Sequence, residues 1–222
     1  MRPTWESGSV KLYCGNCLDV LPDIKKDRVA ILSDPPYGCN NDPDYTRFTG
    51  GMHDGRDFGE PIHGDDQPFD PKPWLDFPEV VLWGYQYFAE RLPVGTVLVW
   101  NKRRDNQLGT FLSDCELAWQ KGGKGVYLFN HVWAGFDRQS ERGKTLHPNQ
   151  KPVALWHWVF SRLELPKDWT IFDGYMGSGS CGVAAVEAGY GYIGCEIDPG
   201  YFGVAQGRIY ASQTEMIQET FI

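Results

Sequence analysis

Residues 170–196 constrain this chain more than any other stretch. Thr170-Ile171-Phe172-Asp173 has the β-branched and aromatic character of a buried strand, and it ends in an acid. Gly174-Tyr175-Met176-Gly177-Ser178-Gly179-Ser180-Cys181-Gly182 follows, then a helix-like run to Ala188 that Gly189 stops. Tyr192-Ile193-Gly194-Cys195-Glu196 reads as the next strand, again closed by a carboxylate. Strand, glycine turn, helix and strand in that order imply parallel strands.

The rest of the chain continues the alternation. Val10–Tyr13, Val29–Leu32, Thr96–Trp100, Val126–Phe129 and Trp169–Phe172 are strand-like; Pro78–Leu92, Val153–Leu163, Ser178–Ala188 and Tyr201–Ser212 are helix-like. The expected fold is an α/β domain with a mostly parallel twisted sheet. The 222 residues suit one domain, residues 1–222, with 102–150 as a small insertion. Residues 39–75 are rich in Gly, Pro and Asp without a period, and read as a long surface loop of the kind that is usually functional or disordered.

An apolar content of 41% excludes wholesale disorder. No run approaches the ~18 apolar residues of a membrane-spanning helix. Met1-Arg2-Pro3-Thr4-Trp5-Glu6 leads into no apolar stretch, so the expected compartment is the cytoplasm, with Cys14, Cys17, Cys39, Cys115, Cys181 and Cys195 as reduced thiols. Cys14-Gly15-Asn16-Cys17 lacks the second ligand pair of a closed zinc site and reads as a loop after a strand; no metal is expected.

The net charge of −8 speaks against simple nucleic-acid binding, but the charge is uneven. Residues 39–75 hold eight acids and three bases, a balance of −5. Residues 102–151 hold nine bases and five acids, a balance of +4. A basic segment sits inside an acidic protein.

Gly177, Gly179 and Gly182 spell G-x-G-x-x-G in the strand–turn–helix context that motif needs. Glycines let a backbone approach a ligand closely, and an acid at the end of the following strand can accept from ribose hydroxyls. A dinucleotide or S-adenosylmethionine fits. A dinucleotide fits less well. Three residues separate Asp173 from Gly177, and only Ser178 to Ile222 follow, so the other strands would have to precede a motif that normally opens its fold.

Val29-Ala30-Ile31-Leu32 runs into Ser33-Asp34-Pro35-Pro36-Tyr37-Gly38. Two prolines stiffen the turn and remove two N–H donors, which leaves carbonyls able to accept beside a carboxylate and an aromatic ring. An exocyclic amine on a nucleobase suits this set. Its lone pair is delocalised into the ring. The Asp34 carboxylate and the Pro35 carbonyl can each take one amino hydrogen and expose that lone pair, while Tyr37 stacks on a base flipped out of a duplex. An ordinary Pro-Pro turn with a surface tyrosine is the bland alternative.

Asp34-Pro35-Pro36-Tyr37 resembles the catalytic tetrapeptide of the amino-methyltransferases that methylate adenine N6 or cytosine N4 in DNA. Phe172-Asp173-Gly174-Tyr175-Met176-Gly177-Ser178-Gly179-Ser180 resembles their methyl-donor loop. The order, catalytic turn before donor loop, is that of the β group. Leu12–Leu21 resembles the family's opening segment, His147-Pro148-Asn149-Gln150-Lys151-Pro152 its segment before the helix that leads into the donor loop, and Gly194–Asp198 with Tyr201, Ala205, Arg208 and Ile209 its close.

The resemblance implies a Rossmann-like methyltransferase fold with helices on both faces and S-adenosylmethionine as cofactor. It assigns Asp34, Pro35, Pro36 and Tyr37 to catalysis. It puts Asn16, Lys151, Asp173, Tyr175, Gly177, Ser178, Gly179 and Glu196 at the donor, with Glu196 on its ribose. Departures are Gly15-Asn16 where the family often has Gly-Asp, and Asp173-Gly174-Tyr175 where it often has Asp-Pro-Phe. Asp34 in place of Ser leans towards adenine. The expected activity is site-specific methylation of adenine N6 in double-stranded DNA, as in restriction–modification, inside a bacterial or phage-infected cell. N4-cytosine methylation and RNA adenine methylation are the near alternatives. A nucleotide-dependent oxidoreductase and a non-catalytic partner subunit are the distant ones.

The family's sequence reader falls between the catalytic turn and His147. Here it is short, which implies a short recognition site or help from a second copy as a homodimer. Lys102, Arg103, Arg104, Arg138, Arg142 and Lys144, with Lys121 and Lys124, are the expected phosphate contacts. The acidic loop 39–75 is a candidate lid over the flipped base. His131, His147 and Trp133 read as packing or capping groups. Methyl transfer from a sulfonium is an in-line displacement that needs no metal.

Overall fold

The computed structural model describes residues 1–42, 44, 61–109, 113–134, 137–143 and 145–220. Residues 43 and 45–60, the middle of the acidic segment, lie outside them, as does Lys144. Among the described residues, the main sheet is built from β1 (Trp5–Ser7), β2 (Val10–Cys14), β3 (Val29–Ser33), β4 (Glu79–Trp83), β5 (Thr96–Asn101), β6 (Cys115–Gln120), β7 (Val126–Asn130), β10 (Thr170–Asp173) and β11 (Gly191–Glu196). A separate two-strand ribbon pairs β8 (Trp133–Ala134) with β9 (Asp137–Arg138). The helices are α1 (Cys17–Val20), α2 (Val153–Leu163), α3 (Ser180–Glu187) and α4 (Pro199–Thr220).

The sheet order is β1-β2-β11-β10-β3-β4-β6-β5-β7. Strands β2, β11, β10, β3 and β4 pair in parallel; β1 and β6 run against their neighbours, and β5 pairs in parallel with β7. From β3 the chain moves outward to β4, whereas from β10 it moves the other way to β11. The order therefore reverses between β3 and β10, and ligands bind at the carboxyl ends of strands at such a switch point.

The central strands are buried on both faces, as parallel strands must be. Ala30, Leu32, Val81 and Trp83 pack against Leu155, Val159, Ala184 and Ile209 from α2, α3 and α4. Their sequence neighbours Val29, Ile31, Val80 and Leu82 pack on the other face with Cys17 and Val20 of α1 and with Trp74, Phe77 and Phe88. The first face is thus covered by three helices. The second is covered by short α1 and by 3-10 turns at Lys72–Trp74, Tyr85–Tyr87 and Ala89–Arg91. No described helix is long and apolar enough to cross a membrane.

Two sequence expectations change here. Pro78–Leu92 is not a helix: Glu79–Trp83 is strand β4, and left-handed Gly84 (φ 83°) turns the chain into the two 3-10 turns. A short, wholly apolar run has no period that separates a doubly buried strand from a buried helix. The 102–150 stretch is also less of an insertion than expected. It supplies β6, which sits between β4 and β5, and the edge strand β7.

Candidate active site

The loops after β2, β3, β10 and β11 line one cleft of 1610 Å³. Asn16, Asp34, Pro35, Pro36, Tyr37, Lys151, Asp173, Tyr175, Gly177, Ser178 and Glu196 all face it. Its size exceeds the ~300–1,000 Å³ usual for a single small ligand.

On one side, Asp173 closes β10 and is 2% exposed. It accepts from the Ser33 hydroxyl (2.6 Å), the Tyr175 N–H (3.2 Å) and the Tyr192 hydroxyl (3.2 Å). Burial lifts its carboxyl to about 7, and the three donors oppose the lift. Glu196, at the end of β11, accepts from the N–H groups of Gly177 and Asp198, both at 2.9 Å, and burial raises its pKa. The turn between them needs its glycines. Gly177 and Gly179 both have left-handed φ, +49° and +79°, and a Cβ on Gly179 would lie 3.0 Å from Ala205 of α4. Gly179 does not line the cleft. It lets α4 pack closely and caps α3. Asn16 faces the cleft and its side chain also accepts from the Leu18 N–H, capping α1.

On the other side, Asp34 follows β3. One carboxylate oxygen accepts from the Tyr37 hydroxyl and the other from Lys151 Nζ at 2.5 Å. Burial pushes the Asp34 carboxyl up; Lys151 opposes it. Lys151 was expected at the donor. In the free chain its ammonium lies against Asp34 in the same cleft, and the acids beside it hold its pKa above normal despite burial.

Tyr37 stacks on Tyr87, with ring centroids 4.9 Å apart and planes at 11°. Its ring occupies the space that a Cβ on Gly84 would fill, so the glycine that ends β4 also seats this ring. The loop after Tyr37 is held by one acid that sequence reasoning left in the acidic segment. Asp65, 4% exposed, accepts from the N–H groups of Tyr37 (3.0 Å), Gly38 (3.0 Å), Cys39 (3.3 Å) and Asn41 (2.7 Å). Asp65→Ala strips four part-buried donors of their acceptor. It is expected to cost about 1–3 kcal/mol of unfolding free energy, read by urea denaturation; an unchanged midpoint would refute the anchoring role.

Comparison with known proteins gives these two half-sites a context. The N6/N4 DNA methylase family matches residues 100–207. The chain is 25% identical over 240 residues to the type II methyltransferase M.HinfI of Haemophilus influenzae, an alignment covering 88% of this chain and 67% of that one. Both matches are to the N6/N4 DNA methylase family and its type II members, which the chain resembles. Two solved structures share the fold: the M1.HpyAVI–SAM complex (TM-score 0.53, 18% identity, 90% of this chain and 98% of that one) and the cytosine-N4-specific PvuII DNA methyltransferase (TM-score 0.60, 12% identity, 98% and 95%). The Rossmann-like methyltransferase architecture expected from the sequence is therefore present.

For a chain that resembles DNA methylases, the basic segment is placed unexpectedly. Lys102 is turned inward and donates to Glu116 at 2.7 Å. Arg104 forks onto Asp137 at 2.6 and 2.8 Å. Arg138 is buried, its guanidinium 4.1 Å above the Trp133 ring, and Arg142 donates to the Arg138 carbonyl. Arg103 has its N–H on the Asn101 side chain. Lys144 lies outside the described residues. Within this conformation Lys102 and Arg138 do not present a free charge to a phosphate, because fixed acids or an aromatic face already hold them.

Sequence reasoning also passed over Glu141. It accepts from Arg208 (2.8 Å) and from the Val153 N–H (2.9 Å) at the start of α2, and Arg208 also donates to the Ser178 carbonyl at 2.7 Å. One ion pair thus ties the Lys151 segment to the turn after β10. His147, expected to be a packing group, packs edge-on against Tyr201 with centroids 4.3 Å apart; burial lowers its pKa to about 4.

Proposed function

We propose that this chain transfers a methyl group from S-adenosylmethionine to the N6 amine of adenine in double-stranded DNA, with the target base flipped into the cleft. The observation that carries the reading is that Asp34 and the Asp173–Glu196 pair open into one cleft large enough for two ligands. The donor's sulfonium and ammonium groups suit a side bearing two carboxylates, and Glu196 suits ribose hydroxyls. The residues present therefore fit S-adenosylmethionine, the ligand of the M1.HpyAVI complex. The donor supplies an electrophilic methyl group.

Asp34 and the Pro35 carbonyl draw on the two amino hydrogens and free the lone pair for an in-line displacement: the bond from nitrogen to methyl forms as the bond from methyl to sulfur breaks, the thioether leaves, and the now acidic amine passes one proton to Asp34. Tyr37 stacks on the base once its hydroxyl leaves Asp34. The preference for adenine rests on Asp34. The enzyme works in the cytoplasm of a bacterial or phage-infected cell as part of restriction–modification, and its short reader draws on a second copy or a short site.

Incubating the chain with donor labelled in its methyl group and unmethylated bacterial DNA tests this. Label is expected in the DNA fraction; a chain that binds the donor and labels no DNA contradicts the reading.

Donor binding should also depend on pH. With its folded pKa raised from 3.8 to about 7, Asp173 favours the neutral form in the free protein. Its contribution to stability is full below the unfolded pKa and is lost as pH rises towards 7. A cationic donor favours the ionised form. Affinity should rise about tenfold between pH 6 and pH 8, with proton release below pH 7. Calorimetry in two buffers of different ionisation enthalpy reads both, and a flat affinity with no proton release refutes the assignment.

A further inference from the structure

The Lys151 ammonium is shared. It lies 2.5 Å from Asp34 and 3.0 Å from Glu116 of β6, with a side chain only 7% exposed. Glu116 in turn accepts from Lys102 Nζ at 2.7 Å. Four charges of alternating sign, Asp34, Lys151, Glu116 and Lys102, thus run from the target side of the cleft to the end of β5. They come from four separate segments of the fold.

We infer that Glu116 is a positioning residue for the acceptor of the target amine. By holding the far side of the Lys151 ammonium, it divides that charge between two carboxylates, so that Asp34 stays ionised yet remains a good acceptor. The inference rests on the methyl-transfer reading of the site.

The physical argument has two limits. A buried carboxylate with no counter-charge takes up a proton, and a protonated Asp34 has one oxygen fewer to offer the amine. A carboxylate with an ammonium wholly committed to it is a weak acceptor, because its charge is already neutralised. Glu116 keeps Asp34 between these limits.

The charged and titratable groups around the pair act in known directions. Lys151 pulls the Asp34 pKa down, while Glu116 pushes it up. Lys151 and Lys102 overcome burial and draw Glu116 down to about 2. Tyr37 donates to Asp34, and the charges act further out: Glu116 raises the pKa of Tyr37 and Tyr87, Lys151 lowers that of His147, and Asp34 raises that of Asp173.

Carboxyl carbon NMR of the free chain, labelled at aspartate, tests the charge sharing without turnover. The Asp34 signal is assigned by its loss in Asp34→Asn. Glu116→Gln keeps the shape and an acceptor for Lys151 but removes the charge, so the Asp34 midpoint should move to lower pH. Lys151→Met should move it to higher pH. Single-turnover methylation by Glu116→Gln should be slower by about ten- to a hundredfold, with donor affinity unchanged.

An Asp34 midpoint that stays put or rises in Glu116→Gln overturns the inference, as does a parental rate. Should Glu116→Gln not fold, Glu116→Asp retains the charge one methylene further back. It should show a smaller shift in the same direction, and no shift overturns the inference. A parent chain that methylates no DNA sinks the methyl-transfer reading, while the titration still decides whether the charge is shared.

Discussion

Asp34→Ala is expected to slow methyl transfer by at least about a thousandfold while leaving donor binding within a factor of two. The first figure follows from what the side chain does. An aromatic amine is a poor nucleophile, and in the proposed mechanism Asp34 offers the charged acceptor that frees its lone pair. Removing one preorganised partner of a developing charge costs about 10²–10³-fold, and here the acid-base function goes with it. The second figure follows from placement, since Asp34 sits after β3, on the side of the cleft proposed for the target base. Its two oxygens contact Tyr37 and Lys151 and none of the turn after β10. The loss of Asp34 leaves Lys151 with Glu116, so the buried ammonium keeps a counter-charge. Single-turnover rates with saturating DNA, beside equilibrium dialysis of the donor, check both halves. A rate within tenfold of the parent would remove Asp34 from the chemistry.

The opposite phenotype is expected at Asp173. Asp173→Ala should weaken donor binding by about a hundredfold or more while leaving DNA affinity nearly unchanged. In the proposed reading the carboxylate supplies the negative charge beneath a cationic ligand, and it also holds the turn by accepting from Tyr175, Ser33 and Tyr192. Alanine leaves three buried donors without their acceptor, at about 1–3 kcal/mol each, so the turn loses its shape as well as its charge. Asp173→Asn separates the two effects in the main, because it keeps the size and an acceptor for Ser33 and Tyr175 while losing the charge and the acceptor for Tyr192. Loss of the donor-induced rise in melting temperature in both variants, with filter binding of DNA retained, is the expected pattern. A donor response equal to the parent's in Asp173→Ala would place the donor elsewhere in the cleft.

The two half-sites were legible in the sequence because each is signalled locally. Asp173 and Glu196 each end an apolar strand with a carboxylate, and Gly177 and Gly179 sit where a turn needs left-handed backbone. Those are local signals, and the structure places the groups together at the carboxyl ends of β10 and β11. Asp34-Pro35-Pro36-Tyr37 was legible for the same reason, as a stiff turn after a strand.

What could not be read was long-range. Asp65 lies in a run of acids with no period, and only the folded chain shows four N–H groups converging on it. Glu116 sits in β6, a strand that sequence reasoning did not foresee at all. Lys151 and Lys102 were read as ligand contacts because a lysine's sequence neighbours do not say which acid it will meet. Val80-Val81-Leu82-Trp83 was read as part of a helix because burial on both faces erases the period that tells the two apart.

The measurement closest to the central claim is the identity of the product. Unmethylated duplex DNA is incubated with the chain and S-adenosylmethionine, digested to nucleosides and analysed by mass spectrometry. N6-methyladenine is the predicted product, absent with Asp34→Ala. N4-methylcytosine would keep the cleft and its chemistry but contradict adenine as the base that Asp34 selects. No methylated nucleoside from a chain that binds the donor would contradict the account as a whole.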